Sequence, residues 1–122
     1  MTTDPTPTVF IVDDDEAVRD SLQVLLETEG YRTATFGSAL AFLETNPAER
    51  RGCLLADVRM PDMTGLELHR AIVRVAPALA GRVLFMTAGA FTEEARRAME
   101  IAPKACLEKP VKLDDLRAAP PR

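Results

Sequence analysis

Cysteine is scarce in this chain, and what is missing around it narrows the field. Only two of the 122 residues are cysteine, Cys53 and Cys106, and both sit inside apolar runs. They have neither zinc-ligand spacing nor the density of a disulfide scaffold, so they read as small buried hydrophobes. No apolar stretch approaches the roughly 20 residues needed to span a bilayer. The first eight residues hold Asp4, Pro5 and Pro7 and no apolar centre, unlike a secretory leader, so a cytoplasmic location is expected. There is no basic stripe, and the net charge is −4, which argues against direct nucleic-acid binding. Histidine occurs once, at His69, on a predicted helix without a bundle around it; a solvent-facing role is expected. Repeats, internal linkers and low-complexity segments are also lacking.

What is present is an ordinary globular composition, 47% hydrophobic and 28% charged, long enough for one domain with a real core. Residues 1–8 are expected to be a flexible segment, 9–119 the folded domain, and 120–122 a short tail. Four short apolar runs end on polar residues. Val9 to Val12 leads into Asp13, Asp14 and Asp15; Cys53 to Ala56 leads into Asp57. Val83 to Met86 leads into Thr87, and Ala105 to Leu107 leads through Glu108 into Lys109 and Pro110.

Between these runs lie amphipathic segments. Val18, Leu22, Leu25 and Leu26 follow helical spacing, with Asp14 or Asp15 as a start and Gly30 as a stop. Tyr31 to Phe36 predicts a more polar strand. Ser38 can cap a helix carrying Leu40, Phe42 and Leu43 that ends near Asn46-Pro47. Residues 58–65 predict a loop. Leu68, Ile72 and Val75 mark a helix closed before Pro77, and Thr92 can cap another. A short last helix should start near Leu113 and stop at Pro120.

Five strands alternating with five helices predict an α/β, doubly wound parallel sheet with helices on both faces, the flavodoxin-like arrangement. With right-handed crossovers and a polar second strand at the edge, the order is 2-1-3-4-5. The switch point then lies between strands 1 and 3, where ligands bind beyond the strand ends. Asp13, Asp14 and Asp57 fall there.

Each element alone is commonplace: an aspartate run caps helices, and Lys-Pro is usually loop. Together they form a metal-assisted phosphoryl site. A carboxylate attacks phosphate poorly because both are negative, and a divalent cation and an ammonium reduce that repulsion. Asp57 is the nucleophile candidate. Mg2+ takes oxygen ligands and typically one or two carboxylates, which Asp13, Asp14 and Asp57 can supply. Adjacent strand residues point to opposite faces, so one of Asp13 and Asp14 should bind directly and the other through water. Lys109 supplies a compact positive charge and Thr87 a hydroxyl for the phosphoryl group.

The segments Val9 to Glu16, Asp57 to Gly65, Met86-Thr87-Ala88 and Glu108-Lys109-Pro110 resemble the motifs of response regulator receiver domains, in the same order. The resemblance implies that Asp57 accepts a phosphoryl group from a histidine kinase or phosphotransfer protein. It also implies that Asp14 is the direct Mg2+ ligand, that Asp13 acts mainly through water, and that the backbone carbonyl of Arg59 completes the set. Thr87 and Lys109 match the switch hydroxyl and the phosphate-contacting lysine. Such a domain is a phosphoacceptor rather than an enzyme in the usual sense, and a kinase or output domain can be covalently linked to it.

Two departures stand out. The strand-5 switch position, ordinarily aromatic, is Cys106, so the aromatic relay lacks its usual form. Ile101-Ala102-Pro103-Lys104 replaces a common Gly-Ala turn. Both favour, weakly, the alternative of a phosphorylation-independent pseudo-receiver that acts as an interaction module. An aspartate-nucleophile phosphatase wants an acid two residues after the nucleophile, where this chain has Arg59. A flavin carrier wants a phosphate loop after strand 1, and none is evident.

Overall fold

The computed structural model describes residues 8–45, 52–87, 93–101, 106–109, 111, 112 and 114. Five strands, β1 (Thr8–Val12), β2 (Arg32–Phe36), β3 (Gly52–Asp57), β4 (Val83–Thr87) and β5 (Cys106–Glu108), form one parallel sheet in the order β2-β1-β3-β4-β5. This is the order expected from the sequence. Register is continuous across the centre: Val12 lies beside Phe36 and Ala56, and Asp57 beside Met86. β1, β3 and β4 are buried almost throughout, while β2 at the edge is half-buried.

The helices follow from local chemistry. Helix α1 (Glu16–Thr28) starts at Asp15, whose side chain accepts from the amides of Ala17 and Val18. Glu16 in its first turn suits the positive end of the helix. Val18, Leu22 and Leu26 recur every four residues and bury one stripe. The chain leaves α1 through Gly30, at φ 92°, a conformation that costs glycine least. Ser38 caps α2 (Ala39–Leu43) by accepting from the Ala41 amide. Helix α3 (Gly65–Val75) opens on a reciprocal pair. The Thr64 hydroxyl accepts from the Glu67 amide at 3.1 Å, and the Glu67 carboxylate accepts from the Thr64 amide at 2.9 Å.

The sequence pattern misses two features here. A short helix, α4 (Pro77–Ala80), follows directly on α3, because proline is favourable at a first helical position. The buried stripe of α3 runs through Leu68 and Ile72 to Ala76, four residues apart each time, which leaves Val75 exposed rather than inward. Helix α5 (Glu93–Ile101) completes the described helices. Several expected features lie outside the described residues: the Thr92 cap, the Asn46-Pro47 stop, the turn at Pro103, the Lys109-Pro110 bond, the last helix apart from Asp114, and residues 1–7.

Strand alternation sorts the core into two faces. Phe10, Val12, Leu54, Ala56, Val83 and Phe85 pack against α2, α3, α4 and α5. Val9, Ile11, Leu55, Leu84, Met86 and Leu107 pack against α1. The first face carries the aromatic weight, with Phe10 tilted against Phe42 and Phe36 edge-on to it, at centroid distances of 5.5 and 5.3 Å.

Candidate functional site

The strand alternation that builds the core also aims the polar groups at its carboxyl edge. Asp13 follows Val9 and Ile11 by two-residue steps, Asp57 follows Leu55, and Lys109 follows Leu107. All three therefore continue the face that packs on α1. Asp13 extends the β1–β2 ladder by one rung, its amide donating to the Phe36 carbonyl at 3.1 Å. Its side chain is completely buried. Oδ1 accepts from the Asp15 amide at 2.9 Å, and Oδ2 meets the Lys109 ammonium at 2.8 Å.

Asp57 closes β3 with 6% of its surface exposed. Its Oδ2 lies 3.2 Å from Lys109 Nζ, and its Oδ1 accepts from the Arg59 amide at 3.3 Å. One ammonium thus bridges two buried carboxylates. The backbone of Lys109 is itself fixed, its amide donating to the Thr87 carbonyl at 2.7 Å. Asp14 is exposed and opens the cluster to solvent. Asp13, Asp14 and Asp57 each offer an oxygen, and these oxygens lie within 4.8 Å of one another. Both neighbouring acids reach the cluster because β1 ends at Val12, so strict strand alternation no longer governs Asp14.

The cluster sets three acids against one ammonium. Burial raises the Asp57 carboxyl above the usual carboxylate range; the charge of Asp13 adds to this, and Lys109 offsets only part of it. For Lys109, burial pushes downward, but the hydrogen bond to Asp13 and the charges of both acids outweigh it, and the net direction is up. Three clustered carboxylate oxygens, with one ammonium pairing two of the acids, fit a hard divalent cation such as Mg2+, and receiver domains typically use Mg2+ at such an acidic site.

The loop after β3 is held close by Gly65. Its amide donates to the Val58 carbonyl at 2.9 Å, and a Cβ there would lie 2.5 Å from the Asp57 carbonyl oxygen. Only glycine lets α3 start directly beneath the nucleophile candidate. The signal in the sequence is Thr64-Gly65-Leu66-Glu67, a capping box with the glycine inside it.

Thr87 and Cys106 belong to the other face of the sheet. Thr87 ends β4, buried, one residue beyond the Asp57–Met86 pair. It continues the other face, after Val83 and Phe85. Cys106 is on that face too, paired with Phe85 and half-buried, and burial raises its thiol pKa. Cys53 is likewise half-buried with a raised pKa, chiefly from burial, which fits a packing role for both thiols. His69 corrects an expectation: its ring is half-buried and stands edge-on to Phe85, at 5.6 Å and 73°, because it flanks the buried Leu68 stripe rather than facing solvent. Arg19 donates from Nη1 to the Asp13 carbonyl at 2.7 Å. Nothing in its spacing marks it, since that contact depends on how α1 packs at the end of β1.

Known proteins resemble this chain in sequence and fold. The family model of the response regulator receiver domain matches residues 9–120. The transcriptional regulatory protein FixJ of Bradyrhizobium diazoefficiens is 38% identical over 111 residues, covering 90% of this chain and 53% of that protein. FixJ of Azorhizobium caulinodans is 40% identical over 102 residues, covering 84% and 47%. The chain therefore spans about half the length of the curated relatives it matches. Among solved structures, FixJ-N superposes with a TM-score of 0.77 at 34% identity, covering 97% of this chain and 94% of that one. Response regulator StyR gives 0.77 at 38%, covering 93% and 57%. Among the described residues no helix is long and apolar enough to cross a membrane. With the motifs, the strand order and these matches in agreement, the chain belongs to the response regulator receiver domain family.

Proposed function

We propose that Asp57 is the phosphoacceptor of this receiver domain and takes its phosphoryl group from the phosphohistidine of a sensor histidine kinase or phosphotransfer protein. The observation that carries the reading is the single ammonium of Lys109 held between buried Asp13 and Asp57, with exposed Asp14 beside them. A carboxylate oxygen of Asp57 attacks phosphorus, the P–N bond to imidazole breaks, and an acyl phosphate forms on Asp57 while the imidazole leaves. Asp13, Asp14, Asp57 and the Arg59 carbonyl hold Mg2+, which supplies positive charge against the incoming phosphoryl oxygens. Lys109 transfers part of its pairing from Asp57 to a phosphoryl oxygen, and the Thr87 hydroxyl donates to another. Water attack on the same acyl phosphate resets the domain without a separate enzyme.

In this reading residues 9–119 are the working unit, with 1–8 and 120–122 as flanks. It works in the cytoplasm and relays its state to a linked or separate output domain, with Cys106 at the position where an aromatic usually turns. The assembled acids and lysine support phosphate chemistry over a phosphate-independent module. The test is incubation with a small-molecule phosphodonor and Mg2+, read by intact mass. The expected result is a gain of one phosphoryl group, lost on chelation and lost in Asp57→Asn. An unchanged mass with small donors and with histidine kinases alike overturns the reading.

A further inference from the structure

Arg19 leaves the first turn of α1 and reaches back over the end of β1. Its side chain is half-buried, beside Gly37, where a Cβ would lie 3.4 Å from Nη1. Besides the Lys109 ammonium on Oδ2, three hydrogen bonds hold Asp13. Its amide donates to Phe36, its Oδ1 accepts from Asp15, and its carbonyl accepts from the Arg19 guanidinium. The Asp13 carbonyl and the Asp14 amide belong to one rigid peptide plane. Fixing that carbonyl therefore fixes the plane from which the Asp14 side chain departs. Asp14 is the exposed member of the acid cluster, so this plane matters most for it.

We infer that Arg19 is a positioning residue that sets the affinity of the Asp13–Asp14–Asp57 cluster for a divalent cation, by anchoring the Asp13–Asp14 peptide. The inference rests on reading that cluster as a Mg2+ site. Two effects of Arg19 oppose each other. Its positive charge repels a cation, so by Coulomb's law alone its removal tightens binding. Its hydrogen bond orders the ligands, so by geometry its removal loosens binding. Loss of a group that orients metal ligands typically costs about 10–100-fold in metal affinity. The repulsion runs through a half-exposed guanidinium and is screened by salt over about 8 Å at physiological ionic strength. Geometry wins, and the sign of the change separates the two.

The experiment is calorimetric titration of Mg2+ into the whole chain, into Arg19→Met and into Arg19→Lys, with melting curves of each alongside. Arg19→Met should bind Mg2+ about tenfold more weakly. Arg19→Lys, which keeps the charge and one donor on a shorter reach, should fall between. The Asp14 and Asp15 amide resonances should shift in Arg19→Met before any metal is added. If the unaltered chain binds Mg2+ and Arg19→Met binds it equally or more tightly, the inference is overturned while the site reading stands. If the unaltered chain binds no Mg2+, the site reading fails and this inference with it. Should Arg19→Met not fold, Arg19→Lys and Arg19→Gln decide by the same criterion: weaker binding supports the inference, equal or tighter binding overturns it.

Discussion

The two faces of the sheet carry different parts of the proposed signalling task. On the face covered by α1, the inward residues of β1, β3 and β5 end in Asp13, Asp57 and Lys109, which touch. On the face covered by α2 to α5, the inward residues of β4 and β5 lead to Thr87 and Cys106, beside the Phe85–His69 ring pair. A side-chain period of two divides them, since neighbouring strand residues cannot share a face. The lesson is that charge handling and conformational output need not use the same packing. The α1 face holds buried ions that repel and pair. The other face holds rings and aliphatics whose stability is ordinary core burial. A substitution at Asp13, Asp57 or Lys109 should therefore change chemistry, and one among the rings and aliphatics of the other face should change stability or output.

The largest effect tests the first half of that division. Asp57→Asn should abolish phosphoryl uptake, yet without divalent cation it should melt no lower than the unaltered chain at neutral pH. The sign follows from linkage. The folded Asp57 carboxyl is raised, so its stabilising contribution is complete below the ordinary value of 3.8 and is lost as pH rises through the folded value. Asparagine removes that cost, and the difference should close as pH falls below the ordinary carboxylate range. A melting point well below that of the unaltered chain would show that Asp57 is a structural partner of Lys109 more than an unrelieved charge.

Next comes the aromatic core of the opposite face. Phe42 is fully buried between two rings, and Phe42→Ala should cost about 3–5 kcal/mol by urea denaturation. Where the variant remains folded it should still accept phosphate. Loss of phosphoryl uptake in the folded fraction would break the separation of faces.

Lys109→Met should cost less, about 1–3 kcal/mol, because the lysine that pairs with the buried acids Asp13 and Asp57 is itself part-exposed. Here the two kinds of effect meet in one residue. Millimolar Mg2+ should recover part of the lost stability, because a ligand that binds only the folded chain stabilises it. Denaturation curves with and without Mg2+ check this, and no recovery would count against the cation site.

The smallest effect belongs to Cys106. It is half-buried against the α2–α5 face, so Cys106→Ala should shift stability by less than about 1 kcal/mol. The rate of phosphoryl uptake, followed by mass, should stay the same. A large change in rate would mean that the switch face feeds back on the chemistry more strongly than the strand geometry implies.

Much of this was legible in the chain itself. Apolar runs of strand length alternating with helical stripes specified a parallel α/β sheet, because two-sided burial demands apolar residues at every strand position. The polar second strand marked the edge, which gave the order. The motifs at the strand ends point to Asp13, Asp14, Asp57, Thr87 and Lys109 as candidates, since a strand terminus at a switch point is where a ligand can reach. Local capping was readable as well, at Asp15, Ser38 and Gly30, and it was there to be read in Thr64 to Glu67.

Contacts between distant segments decided the rest. That Lys109 bridges Asp13 and Asp57 depends on β5 lying two strands from β3 and three from β1, at a register set by backbone pairing across β4. That Gly65 must be glycine depends on how near α3 comes to the Asp57 carbonyl. The setting of His69 is not legible locally, because helical spacing tells which residues flank a stripe but not that Phe85 of another element stands beside them. The contact of Arg19 is hidden for the same reason, its partner being a backbone atom that no side-chain pattern reveals. The sequence alone settled which chemistry is available and along which edge, because period and composition are local properties. Only the tertiary structure decided which atoms meet there, because hydrogen bonds and ion pairs act over about 3 Å and that distance is set by packing.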